Sequence, residues 1–189
     1  MKKIAILASG SGTNAENLIR NFRTSPAGRV EIVLTNRPGS GVIGRSEALH
    51  VDTHVFNREQ FYESDEIVDL LRDRGIDLVV LAGFLWLVPS RLLQAFEGRI
   101  VNIHPALLPA YGGKGMYGSR VHEAVVASGD KQSGITIHYV NQAYDEGNII
   151  FQASCPVEQS DTAETLAARI HQLEYEHFPR VVEQLLDQF

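Results

Sequence analysis

Cysteine is nearly absent: Cys155 is the one thiol in 189 residues. A lone thiol cannot form an internal disulfide, so a reducing, cytoplasmic compartment is expected. Basic residues are in the minority, 17 Lys and Arg against 23 Asp and Glu, for a net charge of −6. A nucleic-acid surface needs a basic face, so no nucleic-acid partner is expected. Long apolar runs are missing as well. Ile4 to Ala8, after Met1-Lys2-Lys3, is shorter than the ~7–15 residues of a signal-peptide core. Nothing reaches the length of a membrane span, so no membrane partner is expected either. There is no G-x-S-x-G elbow. The histidines do not pair at ligand spacing: His50 and His54 straddle a turn, and His171 and His177 are off any single helical face. Cys155 precedes Pro156 in a strand with no neighbouring base. Neither a metal site nor a Ser or Cys nucleophile is expected.

What is present is an ordinary globular composition, 44% hydrophobic and 21% charged. No repeat, linker or low-complexity tract interrupts it, so residues 1–189 are expected to form a single domain. Apolar runs at 3–8, 30–35, 53–56, 77–81 and 100–104 read as strands. They alternate with helical patterns at 15–22, 42–49, 59–74 and 90–96. That alternation predicts an α/β fold with a doubly wound, mostly parallel sheet, Rossmann-like. A helix at 120–128 follows. Strands at 133–140 and 149–157 are joined by so short a polar turn that they must be antiparallel. Asp161-Thr-Ala-Glu164 reads as a capping box opening a long C-terminal helix, which Pro179 should kink or restart.

The chemistry gathers at Asn102-Ile-His104-Pro105. Side chains two apart on a strand point the same way, and Pro105 ends the strand. An amide and an imidazole therefore share one face at the carboxyl end of a strand, where ligands bind in open α/β sheets. One can hold an oxyanion and the other can move a proton, a pairing suited to acyl chemistry. Gly10-Ser-Gly-Thr-Asn-Ala15 lies between the first strand and helix. Such a turn aims backbone N–H groups at an anion. The second strand ends at Asn36 rather than at an acid, which argues for a phosphate cradle and against a dinucleotide site. Ala82-Gly-Phe-Leu-Trp-Leu-Val88 continues apolar past a strand end and can line a pocket for a flat heterocycle or simply pack under the sheet. Residues 112–118 hold four glycines and predict a mobile loop where a lid would sit.

Ser9-Gly-Ser-Gly-Thr-Asn14, Leu81-Ala-Gly-Phe84, Asn102-Ile-His-Pro-Ala-Leu-Leu-Pro109 and Asp145-x-Gly147 occur in the order found in the 10-formyltetrahydrofolate-dependent formyltransferases. The chain resembles, within that family, the phosphoribosylglycinamide formyltransferases, over nearly its whole length. The Asn-x-His-Pro motif followed by Leu-Leu-Pro is specific to enzymes that use formyltetrahydrofolate, and the Gly-Ser-Gly-Thr-Asn loop points to the glycinamide branch. The resemblance implies transfer of a formyl group from 10-formyltetrahydrofolate, a co-substrate, to the amine of a phosphoribosyl substrate in purine biosynthesis, without a metal. It implies that Asn102, His104 and Asp145 are catalytic, with the Asp145 charge raising the His104 pKa and fixing its ring. It implies that Gly10, Ser11, Gly12, Thr13, Asn14 and Glu174 bind the phosphoribosyl substrate. Arg58, Leu85, Trp86, Leu87, Val88 and Asn102 are implied to bind the folate. Residues 1–100 then form a phosphate-binding half and 101–189 a catalytic and folate-binding half. Trp86 stands where such enzymes often carry a basic residue, and the 112–118 loop lacks their Pro-Gly pattern. A formyltetrahydrofolate hydrolase, a methionyl-tRNA formyltransferase and a non-catalytic phosphosugar-binding module are the competing readings. The oligomeric state is not legible in the sequence.

Overall fold

A computed structural model describes residues 1–188. The strands β1 (Lys2–Leu7), β2 (Gly28–Thr35), β3 (Asp52–Val55), β4 (Leu78–Leu81), β5 (Ile100–His104), β6 (Gln132–Tyr139) and β7 (Ile149–Pro156) form one sheet in the order β3-β2-β1-β4-β5-β6-β7. β3, β2, β1, β4 and β5 run parallel. The antiparallel pairing expected for β6 and β7 is present, and β5 also pairs antiparallel with β6, which the strand pattern did not reveal.

Alternation along β1 sorts the core onto two faces. Ile4, Ile6 and Ala8 join the cluster under α1 (Thr13–Phe22), α6 (Ser119–Ser128) and α7 (Ala163–Leu186). Ala5 and Leu7 join the opposite cluster with Phe61, Val68, Leu71 and Leu92 of α3 (Arg58–Tyr62), α4 (Glu66–Asp73) and α5 (Ser90–Ala95). The helix α2 (Gly41–Ala48) follows β2 and sends Val42 into the first cluster. All four residues of β4 are buried, as a strand covered on both faces requires. The chain winds outward from β1 to β3 and then returns to β4. The switch point is between β1 and β4, so their carboxyl ends open a crevice.

Three local expectations are corrected. The amphipathic stretch 59–74 is two helices, because Asn57 caps α3 through a reciprocal box with Gln60 and α3 stops at Tyr62 before α4 begins at Glu66. Arg58 accordingly starts α3 instead of preceding a long helix. The cap of α7 is Thr162 with Thr165, one residue on from the expected Asp161–Glu164 box. Asp161 instead accepts from Thr165 and Arg169, and those bonds hold its carboxyl far below the usual range. Finally, α7 carries Pro179 in its interior and does not restart there.

Candidate active site

Ser9, directly after β1, ties the loops at the crevice together. Its hydroxyl donates to Asn36 Oδ1 at 2.6 Å and accepts from the Leu85 N–H at 3.0 Å, and its own N–H donates to the Gly83 carbonyl. The loops after β1, β2 and β4 thus meet at one buried serine. The sequence shows it only as the first residue of the Ser9–Asn14 motif, where a serine before a glycine loop carries no signal of this linking role.

The glycine loop runs on from Ser9 into α1. Gly12 is the N-cap residue, with φ 78°, and a side-chain cap is missing. A Cβ there would lie 2.5 Å from Val42, so only glycine fits. An uncapped first turn leaves N–H groups free to meet an anion. Asn14 Nδ2 donates to Glu174 Oε2 at 2.9 Å, while Asn14 Oδ1 is buried without a partner. Glu174, 4% exposed on α7, also takes His171 Nδ1 at 2.9 Å, which raises the His171 pKa. The loop and Glu174, 160 residues apart in sequence, therefore form one polar cluster. His122, buried on α6, sits in the field of Glu174, His171 and His104, and its Nδ1 has no hydrogen-bond partner.

The catalytic candidates converge one step further along the sheet edge. Asp145 lies in the β6–β7 turn with φ 57°, a left-handed conformation unusual outside glycine. Its Oδ2 is 3.5 Å from His104 Nδ1 and accepts the Gly113 N–H at 3.0 Å. Its Oδ1 is 3.4 Å from Asn102 Nδ2 and 3.6 Å from His138 Nε2. Gly147 closes this turn against β6: a Cβ there would fall 1.6 Å from the Tyr139 carbonyl oxygen.

His138 is the member that sequence reasoning missed. The only signal was its place on the alternating β6 strand, where it is indistinguishable from a core residue until the antiparallel pairing with Asn102 is known. Asn102 Nδ2 lies 3.0 Å from His138 Nε2, and His138 Nδ1 lies 2.9 Å from the Tyr139 carbonyl. A carbonyl only accepts, so in the neutral ring Nδ1 carries the proton and Nε2 accepts from the amide. Both hydrogens of the Asn102 amide thereby have acceptors, His138 and Asp145.

The same logic fixes His104. Its Nε2 lies 2.8 Å from the Tyr111 carbonyl, so Nε2 is the protonated position and Nδ1 faces Asp145. The expectation that Asp145 raises the His104 pKa is half right. Burial of the ring pushes it down and outweighs the upward pull of the Asp145 charge and the Tyr111 carbonyl, so the net direction is downward. For Asp145 the balance goes the other way. Burial opposes its charge, but the two imidazoles and the Gly113 N–H overcome that and hold the carboxyl below its ordinary value.

Beside Asn102 and Asp145 opens a cleft lined by Leu81, Phe84, Trp86, Leu87, Val88 and Tyr144, among others. Of the expected folate residues, Trp86, Leu87, Val88 and Asn102 line it. Leu85 and Arg58 do not. Leu85 spends its N–H on Ser9, and the Arg58 guanidinium stacks over Trp86 and Tyr62 at 5.1 and 5.2 Å from their ring centroids. Tyr62 donates to the Leu87 carbonyl at 2.9 Å. Trp86 also belongs to an aromatic cluster with Phe56, Phe61, Tyr62 and Phe84, so its ring is both wall and packing.

The protein-family model described as formyl transferase matches residues 2–182. The chain belongs to the formyl transferase family. Among relatives in this family, the phosphoribosylglycinamide formyltransferase of Bacillus subtilis is 37% identical over 195 residues, covering 98% of this chain and 95% of that protein. The chloroplastic phosphoribosylglycinamide formyltransferases of Arabidopsis thaliana and Vigna unguiculata are 43% and 41% identical. Those matches take in 96% and 99% of this chain but 64% and 62% of the plant proteins' length. Among solved formyl transferases, the phosphoribosylglycinamide formyltransferase of Bacillus halodurans superposes with a TM-score of 0.86 at 39% identity, covering 98% of this chain and 95% of that one. Glycinamide ribonucleotide transformylase 1 of Symbiobacterium toebii gives 0.90 at 35% identity, covering 100% and 89%. No helix among the described residues is long and apolar enough to cross a membrane.

Proposed function

We propose that the chain transfers the formyl group of 10-formyltetrahydrofolate to the amine of glycinamide ribonucleotide, a step of de novo purine biosynthesis, in the cytoplasm. The observation that supports this reading is the meeting of Asn102, His104 and Asp145, with Asn102 and Asp145 lining a cleft with apolar and aromatic walls and His104 directly behind Asp145. A flat heterocycle suits such walls, and the polar end receives a carbonyl. The folate is a substrate here, consumed by losing its formyl group.

Gly10, Ser11, Gly12, Thr13 and Asn14 hold the phosphate through the first turn of α1, and Glu174 receives the glycinamide end. Trp86, Leu87 and Val88 flank the folate. Residues 1–100 supply the phosphate loop and 101–189 the catalytic trio, while the folate cleft draws on both halves. The amine attacks the formyl carbon, and the carbonyl oxygen takes up negative charge. Asn102 donates to that oxygen by giving up its longer hydrogen bond, the 3.4 Å one to Asp145. His104 Nδ1 is the ring position free to take a proton from the attacking nitrogen, because Nε2–H is held by Tyr111. The imidazolium formed is paired with Asp145 and returns the proton to the departing folate nitrogen.

The test is spectrophotometric: a 10-formyl folate is mixed with the protein and glycinamide ribonucleotide, and deformylated folate is followed. Turnover that requires the amine is the expected result. Turnover without it means a hydrolase, and phosphosugar binding without turnover means a non-catalytic module.

A further inference from the structure

The His104 ring has two competing neighbours, and they ask for different tautomers. Asp145 Oδ2, 3.5 Å from Nδ1, favours a proton on Nδ1. The Tyr111 carbonyl, 2.8 Å from Nε2, favours a proton on Nε2. Only the second choice leaves Nδ1 free to accept a proton beside Asp145. The position of one main-chain carbonyl therefore decides which nitrogen of His104 is basic.

That carbonyl is not held by regular structure. Tyr111 follows Pro109 and Ala110 and precedes the glycine-rich 112–118 segment. Its φ is 55°, a conformation that a bulky residue keeps only where its surroundings impose it. The ring packs against the core cluster, and the phenol is tethered at its far end. The Tyr111 hydroxyl reaches the far end of α6, where it lies 2.6 Å from Ser128 Oγ and donates to the Asp130 carboxylate. The phenol's one hydrogen is shared between Asp130 and Ser128, because Ser128 gives its own hydrogen to the Val125 carbonyl. The bond to Asp130 pushes the phenol pKa up, with Ser128 opposing. Two residues on, the Gly113 N–H binds Asp145 Oδ2 at 3.0 Å, so the same short segment touches both His104 and its carboxylate neighbour.

We propose that Tyr111 is a positioning residue whose hydroxyl, anchored at Ser128 and Asp130, holds its own carbonyl against His104 Nε2 and thereby keeps Nδ1 as the basic nitrogen. The proposal rests on the formyl-transfer reading for its kinetic consequences, but the tautomer itself does not.

The experiment is imidazole ¹⁵N NMR of the full-length protein, with steady-state kinetics alongside. Wild type is expected to show His104 protonated at Nε2 in its neutral form. Tyr111→Phe and Asp130→Ala are each expected to shift population towards Nδ1–H. Each should lower kcat about fivefold, the size of one lost hydrogen bond, with KM for both substrates unchanged. The limb of the kcat profile that reports His104 should move to lower pH, since a weakened Tyr111 contact favours the charged ring less. Asp130→Asn keeps an acceptor and should restore wild-type values. The double variant Tyr111→Phe/Asp130→Ala should be no worse than either alone. Retention of Nε2–H in both single variants overturns the proposal, and so does a lower melting temperature with an unmoved pH limb. Asp130 is an exposed residue beyond α6, so its variants test the tether even if Tyr111→Phe folds poorly. NMR needs no substrate: a wild type that transfers no formyl group sinks the functional reading and leaves the tautomer result standing.

Discussion

Asn102 and His138 stand opposite each other across the β5–β6 register, with the amide nitrogen 3.0 Å from Nε2. The histidine accepts, because its other nitrogen is spent on the Tyr139 carbonyl. It therefore fixes which way the amide points and aims Nδ2 into the cleft. His138→Ala is expected to leave the amide free to rotate and to lower kcat by at least tenfold, the cost of losing a supporting hydrogen bond to a reacting group. Asn102→Ala should cost about 10²–10³ in kcat. Steady-state kinetics on the two variants and their double mutant check this, and the double should match Asn102→Ala alone.

Asp145→Asn keeps the shape, and asparagine tolerates the left-handed backbone at this position. The substitution removes the charge that pulls the His104 pKa upward against burial. The expected outcome is a lower kcat, with the limb of the pH–rate profile that reports His104 displaced to lower pH. A profile superimposable on wild type would separate the two residues functionally.

Gly12→Ala should damage the phosphate loop selectively. The added methyl meets Val42 at 2.5 Å and must sit at φ 78°. A cost of about 1–3 kcal/mol in stability is expected from the backbone conformation alone. KM for the phosphosugar should rise while KM for the folate stays near wild type. Thermal melting and separate substrate titrations distinguish these effects.

Stability should fall on acidification from neutral pH. His104 and His122 both have pKa values lowered by burial below the ordinary 6.5. The unfolded chain then binds more protons than the native one below that value, so their contribution is present above it and is lost as pH falls through the folded values. Asp145, also lowered, adds to the loss at still lower pH. His171 works in the opposite sense, being raised by Glu174, but its side chain is 48% exposed and counts for less. His122→Leu removes a buried nitrogen that lacks a partner. The variant is expected to melt no lower than wild type at pH 7.5 and to gain on it as pH drops to 5. Calorimetry across that range is the measurement.

Most of the sheet was readable from the chain because apolar runs and punctuating glycines repeat regularly, as at β1, Gly10–Gly12 and α1. The helix break at Glu63 was not, since Phe61, Ile67 and Leu71 are buried on the same face of the sheet as one continuous stripe would place them. Asn102 and His104 announced themselves by sitting where a strand turns polar. His138 and Tyr111 gave no such sign. Each contributes through a neighbour that only pairing or a folded-back loop supplies, and neither relation is encoded in local spacing. Arg58 shows the converse: a plausible binding side chain by position, it lies against the Trp86 ring and outside the cleft.

β5 is flanked by a parallel neighbour on one side and an antiparallel one on the other. A slip of one residue would turn Asn102 and His104 towards the opposite helical layer. It would also have to break two ladders of different geometry at once, so no single shift satisfies both. The strand that carries Asn102 and His104 is in this way the least free to misalign.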